Sequence, residues 1–489
     1  MSFSSVGFAF FFPAVLLLYW AAPRRATWQN AVLLAASWLF YFVCNPRFLP
    51  LLVGATAVDY VLARDIERHR ADARRMRVAL GLSLALNVGL LGYFKYAGFF
   101  AASLNDLSRA LGLAASLPVL RLALPLGISF FTFQKVSYML DVYDGRIEAS
   151  RSPLRFATYV AFFPQISAGP IARGEELLPQ LAEARSLDGD RLREGAGRFF
   201  LGFVKKALIA DFFAVHLVDP AFAHPERYTA AGLWMALFGY AAQVFCDFSG
   251  YTDMALGCAS LLGVTLPENF KYPFLSRNLT EFWQRWHISL NRWLFDYVYG
   301  PLTTGDGWFH GRLGASFIVV FLLSGLWHGP RYTFVVWGLM HGVGLAVSHR
   351  WDLYYRSLCR RDRAWVARRR STGYQLAGWA LTQGFFVLSL VPFRATSLTL
   401  AGAFARGLVA SRGALLLPPD PPSLRSVTLA VCAAAFVAWH LVEVARLQHV
   451  RARFFALPAM VRGFVYGLVA VYLFLFVPVS AGAFIYAQF

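Results

Sequence analysis

Three histidines in the middle of the chain offer the side chains best suited to chemistry. His328 closes an apolar run in LLSGLWHGP, Leu322 to Pro330. Gly325 and Gly329 let other backbone approach closely, Pro330 ends the helix that the run predicts, and Ser324 lies one turn before the imidazole. An imidazole framed in this way can take the proton of an attacking hydroxyl. The same spacing also fits a structural histidine bonded to a neighbouring helix. His287 lies in EFWQRWHISLNRWL, Glu281 to Leu294, where Trp283, His287 and Asn291 recur at helical spacing and are predicted to share one face. Tryptophan is common at membrane interfaces, so this stretch equally reads as an interfacial helix whose histidine is a satisfied polar contact. His341, in WGLMHG, has a glycine frame like that of His328 and takes a supporting place.

Carboxylates and amides interrupt the apolar sequence nearby. In FCDFSGYTDMALG, Phe245 to Gly257, Asp247 and Tyr251 form one helical row, and Ser249 and Asp253 form another. Two polar rows on an apolar helix must face protein or a water-filled cavity. They could orient the histidines or line a tunnel, or they could simply join helices through a polar network. Gln134 and Lys135, Gln165, and the group Lys205, Lys206 and Asp211 are further interruptions; the two lysines either snorkel or pair with Asp211. No H-E-x-x-H, G-x-S-x-G, phosphate-binding glycine loop or Cys/His metal spacing is present. Direct transfer with histidine as base is therefore favoured over an acyl-serine, and nothing in the spacing asks for a metal.

These residues need elements that can hold them in lipid. Hydrophobic residues make up 58% of the 489 and charged residues 15%, too few to build a water-soluble surface. A ~30 Å hydrocarbon core needs about 20 apolar residues per crossing. Apolar segments fall at 7–22, 29–44, 47–63, 77–95, 122–142, 154–169, 196–218, 229–262, 313–328, 332–348, 374–393, 425–445 and 461–484. The segment 229–262 is too long for one upright helix and several others are short, so re-entrant or broken segments are expected, covered by protein. Net charge is +19, and the placement of the basic residues argues against nucleic acid. Six arginines lie between Arg64 and Arg77 and eight between Arg350 and Arg370, the pattern of cytoplasmic loops, with contact to lipid headgroups as a second role. That places the N-terminus outside the cytoplasmic membrane and makes Gly7 to Ala22 a retained first span. The polar segment 171–195 reads as a loop and a surface helix. The five cysteines form no C-x-x-C pair, and no internal repeat is evident, so one integral domain over 1–489 is expected.

An ordered set of motifs resembles the membrane-bound O-acyltransferase family. The set is LPLGISFFTFQKVSYMLDVY from Leu124, FFPQISAGPI from Phe162, FCDFSGYTDMALG, LPENFKYPF from Leu266, EFWQRWHISLNRWL, SGLWHGP and the terminal FIYAQF. It is most similar to the branch containing the alginate O-acetyltransferase membrane subunit. The resemblance implies an all-α polytopic bundle with re-entrant or broken helices around a thinned centre. It implies that His328 is the catalytic histidine and that His287 is the second signature residue, shaping the site or its tunnel. It also implies an acetyl donor on the cytoplasmic side, acetyl-CoA, and an exported acetyltransferase-like partner that completes transfer to a polysaccharide. Ala487, where an aromatic is more usual, and Pro392 in VPFRA, Val391 to Ala395, depart from the family pattern and bear on helix-end packing.

The resulting expectation is that His328 acts as base while His287 or Asn291 stabilises the oxyanion. Ser324, His341, Asp247, Tyr251, Asp253 and Gln134 are expected to support the site or line its tunnel. D-alanyl or other acyl transfer, a saccharide or acyl transporter, and a non-catalytic scaffold remain as alternatives.

Overall fold

In the computed structural model, residues 1–417 are described apart from 22, 23, 114, 115, 121 and 187; beyond them 433, 434, 436, 437 and 453–476 are described. The expected segment 425–445, the end of 461–484 and the terminal FIYAQF motif lie largely or wholly outside the described residues. The described elements are helical, with two isolated bridges, Tyr228–Leu415 and Phe270–Trp286, outside any named strand. Among the described residues, five helices are long and apolar enough to cross a membrane: Ala26–Cys44, Pro46–Arg68, Ala73–Ala110, Ala230–Leu261 and Thr372–Arg394. Shorter apolar helices accompany them, Val6–Ala21 and Leu313–His328 among them. The chain is an all-α, multi-pass integral membrane protein.

The helix Ala230–Leu261 forms the axis of the bundle. Thr229 caps it by accepting from the Gly232 amide, and its residues from 239 to 259 are buried. Contrary to the expectation of a break, it runs 32 residues without interruption. At a rise of about 1.5 Å per residue it is about 48 Å long, which a bilayer accommodates by tilt rather than by a break. The chain is broken elsewhere. The segment 154–169 divides at Phe162 into helices Pro153–Ala161 and Phe163–Ile166. Nearly every residue from 160 to 174 is buried, as irregular backbone in a membrane must be. The segment 196–218 becomes the helix Gly189–Val204 followed by π-helical turns at Lys205–Ala210 and Ala214–Val218. The polar stretch 171–195 supplies the helix Gly174–Ala182, which turns Leu177, Leu178 and Leu181 inward and leaves Glu175 outside.

Both arginine blocks lie toward one end of the bundle, joined by a series of contacts. Arg64 donates to the Ala149 carbonyl at 3.4 Å, in the loop that follows the helix Ile128–Tyr143. The Tyr297 hydroxyl donates to Asp141 of that helix at 2.8 Å. Tyr299 stacks on Phe317 at 4.8 Å, and Phe317 packs against His349, which adjoins Arg350, at 5.9 Å. The long reach from Tyr332 to Arg361 carries the second block well past the expected segment 332–348.

Close contact between the axial helix and the Gly189–Val204 helix depends on glycines that face each other. A Cβ at Gly202 would stand 2.4 Å from the Gly250 carbonyl oxygen, and one at Gly250 would stand 2.7 Å from that of Gly202. Neither helix has a flexible side chain there that could give way. Overpacking of this kind costs about 1–3 kcal/mol or more. Gly202→Val in detergent micelles is therefore expected to melt at least about 2 °C below wild type. Gly54→Ala, inside the helix Leu49–Arg68 where a Cβ meets nothing within 4 Å, should melt at or slightly above wild type. Equal melting temperatures for all three proteins would contradict this account.

Candidate functional site

His287 occupies a break in the chain. The helix Leu279–Arg285 starts at Asn278, whose side chain accepts from the Glu281 amide at 2.8 Å. Trp286 then pairs with Phe270 in an antiparallel bridge, and the Lys271 amide donates to the Arg285 carbonyl at 3.0 Å. His287 follows in the left-handed region, φ 46° and ψ 54°, and the next helix spans Ile288–Leu294. Asn269 secures this second start. Its carbonyl accepts from the Ile288 amide at 3.0 Å, and its side-chain oxygen accepts from the Ser289 amide at 3.1 Å and hydroxyl at 2.7 Å. The expected shared face of Trp283, His287 and Asn291 is therefore overturned, because one left-handed residue resets the helical phase. Asn291 instead turns its side-chain amide onto the Trp283 carbonyl.

His328 ends the helix Leu313–His328, which packs antiparallel against Tyr332–Arg361. Gly325 and Gly338 allow the approach. A Cβ on Gly325 would lie 2.2 Å from the Phe334 carbonyl oxygen, and one on Gly338 would lie 2.3 Å from that of Phe321. The His328 ring is 4% exposed and meets Trp327 at 4.9 Å, Trp337 at 4.9 Å and Phe393 at 5.0 Å, all close to perpendicular. Phe393 reaches it because the helix Thr372–Arg394 continues through Pro392. Ser324 is buried one turn before His328.

His341 lies against Trp337 at 4.6 Å and Trp283 at 5.1 Å, with its Nε2 2.9 Å from the Ser389 hydroxyl. That hydroxyl donates its one hydrogen to the Phe386 carbonyl at 2.6 Å. Nε2 must then carry the imidazole proton, and Nδ1 is left as the acceptor nitrogen. His287 in turn packs on Trp327 at 5.7 Å and on Phe248 at 4.5 Å. The tertiary structure thus threads His287, His328 and His341 together through two indoles, Trp327 and Trp337.

The carbonyls at the end of the His328 helix have partners that sequence reasoning missed. Lys95 Nζ donates to the Trp327 carbonyl at 2.5 Å and to Ser129 Oγ at 3.3 Å, and the Tyr96 hydroxyl donates to the Leu326 carbonyl at 2.9 Å. Both residues sit on a π-helical turn, Gly92–Tyr96. Donors placed at a helix C-terminus satisfy its orphan carbonyls. The available signal was a lysine ending an apolar span.

Other expected site residues make contacts away from the three histidines. Asp247 pairs with Lys206 at 2.6 Å, and Lys206 also reaches Asp211 at 2.6 Å. Asp253 pairs with Lys205 at 2.7 Å and Arg198 at 3.0 Å, and Arg198 continues to Glu268 at 2.7 Å. Lys206 thus pairs with Asp211 as one of the two readings expected, whereas Lys205 pairs with Asp253 instead. Tyr251 bonds to Ser167 and stacks on Phe3 at 4.7 Å. Gln134 reaches the Ala172 carbonyl at 3.5 Å, bracing the broken segment. Among the described residues no group of three or more His, Cys, Asp or Glu is arranged to hold a metal ion.

The model of MBOAT, the membrane-bound O-acyltransferase family, matches residues 146–391, a window that contains all three histidines. The chain is 37% identical over 405 residues to the probable alginate O-acetylase AlgI of Pseudomonas syringae pv. tomato, covering 82% of this chain and 74% of that protein. It is 34% identical over 441 residues to the peptidoglycan O-acetyltransferase of Helicobacter pylori, covering 85% and 79%. It is 33% identical over 248 residues to the teichoic acid D-alanyltransferase of Bacillus subtilis, covering 48% and 62%.

Asn269 acts as the cap of the helix after His287, so its removal has a defined effect. Loss of a capping side chain typically costs about 0.5–2 kcal/mol. Asn269→Ala should lower the melting temperature of the solubilised protein by a corresponding few degrees, and Ser289→Ala, which keeps the amide-to-Asn269 bond, should lose less. A wild-type melting temperature for Asn269→Ala would show that the cap is not what Asn269 contributes.

Proposed function

The chain belongs to the membrane-bound O-acyltransferase family and is an O-acyltransferase; on that footing we propose that it moves an acetyl group from acetyl-CoA on the cytoplasmic side to a hydroxyl of an exported polysaccharide, directly or through an exported acetyltransferase-like partner. The observation that carries this reading is His328. It is an imidazole at the end of a membrane helix, held in an aromatic enclosure that also joins His287 and His341.

In the proposed reaction His328 takes the proton of the acceptor hydroxyl as its oxygen attacks the thioester carbonyl. The new C–O bond forms, the C–S bond breaks, and the imidazolium returns the proton to the departing thiolate. Dry aromatic walls favour this arrangement by keeping water from competing with the acceptor. The arginine blocks gathered at one end of the bundle support a cytoplasmic donor side, where they attract the donor's phosphates. With that end inside, the N-terminus faces outward across the inner membrane. Relatives whose names specify alginate and peptidoglycan support a polysaccharide acceptor.

General-base catalysis contributes roughly 10²–10⁴-fold. In membrane vesicles supplied with labelled acetyl-CoA, His328→Ala should therefore lower label transfer by at least about 10²-fold, with unchanged protein level and membrane insertion. Wild-type transfer by that variant would end the assignment. Transfer from a D-alanyl donor in place of acetyl-CoA would correct the acyl group.

The His287 backbone provides a second test. A left-handed residue other than glycine carries strain on the order of 1 kcal/mol. His287→Gly and His287→Ala should lose transfer alike, with the glycine variant melting higher. Full activity in both would leave His287 a packing residue.

A further inference from the structure

We propose that Trp337 touches the reacting group: its indole N–H donates a hydrogen bond to the carbonyl oxygen of the acyl thioester that is attacked at His328. This inference rests on the base role given to His328 above. Thr333, Trp337 and His341 recur every four residues on the helix Tyr332–Arg361 and so form one row. They are 1%, 3% and 0% exposed. Thr333 Oγ1, Trp337 Nε1 and His341 Nδ1 are all buried without a hydrogen-bond partner among the described residues. Each such group costs about 1–3 kcal/mol relative to a satisfied one. Three in register on one face, where aliphatic side chains would pack without that penalty, indicate that part of their bonding comes from a bound molecule.

Within this row Trp337 has the position that matters for transfer. Its ring stands 4.9 Å from that of His328 at 85°, edge against face, and 4.6 Å from that of His341. A carbonyl carbon attacked by an oxygen held at His328 therefore lies within reach of groups around the indole. Two other donors near the histidines are already engaged. The Asn291 amide is bonded to the Trp283 carbonyl, so its expected role at the oxyanion is not available to it in this arrangement. Lys95 is held by the Trp327 carbonyl and Ser129.

As the C–O bond forms, the thioester oxygen gains negative charge. It regains its double bond when the C–S bond breaks and the thiolate takes the proton from His328. A fixed N–H in a dry enclosure is a stronger partner for that charged oxygen than for the ground-state carbonyl, which is the condition for accelerating the step.

Trp337→Phe removes the N–H and keeps an aromatic ring. The test measures acetyl-CoA turnover by thiol release in membrane vesicles for wild type, Trp337→Phe, Trp337→His and His328→Ala, with melting of each solubilised protein alongside. Removing one oxyanion donor typically lowers kcat by about 10²–10³-fold. Trp337→Phe is expected to show that loss with KM within about twofold and melting unchanged. Trp337→His, which restores a ring N–H, should recover part of the rate. Wild-type kcat in Trp337→Phe, a loss confined to KM, or a loss matched by a lower melting temperature would each overturn the Trp337 assignment, provided that His328→Ala is inactive. A wild-type protein that does not consume acetyl-CoA, or a fully active His328→Ala, would overturn the underlying reading first.

Discussion

A charge buried inside a membrane bundle must bring its partner with it, and that requirement organises this chain. Lys135 lies 3.1 Å from Asp59, both fully buried, and Asp59 also accepts from Ser83 at 2.6 Å and Asn87 at 2.9 Å. Three helices, Leu49–Arg68, Ala73–Leu91 and Ile128–Tyr143, are thereby held in one register. The pairs of Lys205 and Lys206 with Asp253 and Asp247 lock the axial helix to its neighbour in the same way. Losing one member of a buried pair typically costs about 3–5 kcal/mol, because the other charge is left in a poor solvent. The pairs therefore fix packing more strictly than apolar contact alone, which tolerates sliding.

Regular helices would not bring these groups together. The lysines at 95, 205 and 206 all lie on π-helical turns, and His287 lies on a left-handed residue. Each irregularity redirects a side chain that a continuous α-helix would have pointed elsewhere. Such backbone is tolerated because protein surrounds it: the broken stretch around Phe162, for example, is buried nearly throughout. The unbroken axial helix supplies much of that cover.

Charge and aromatic surface are thus divided between two regions. The buried ion pairs lie along the axial helix and between Lys135 and Asp59, whereas the histidines sit among Trp283, Trp327, Trp337 and Phe393. Lys95 and Tyr96 link the two kinds of environment by closing the end of the His328 helix. Little room remains there for a histidine to drift, since Gly325 and Gly338 bring the two helices into backbone contact.

The sequence by itself determined the membrane class, most helix positions, the two arginine blocks and the three histidines, because hydropathy, charge and glycine framing are local properties of the chain. It also carried the family resemblance. Only the tertiary structure decided that Asn291 serves the Trp283 carbonyl, that Asn269 caps the helix after His287, and that the segment 229–262 is one helix. It alone showed Lys95 at the Trp327 carbonyl, 232 residues away, and Ser389 at His341. The physical reason is the same in each case. Periodicity assumes one handedness and one pitch, so a single residue at φ 46° or a π-helical turn reassigns every face that follows, and a contact between distant segments leaves no trace in the residues near either partner.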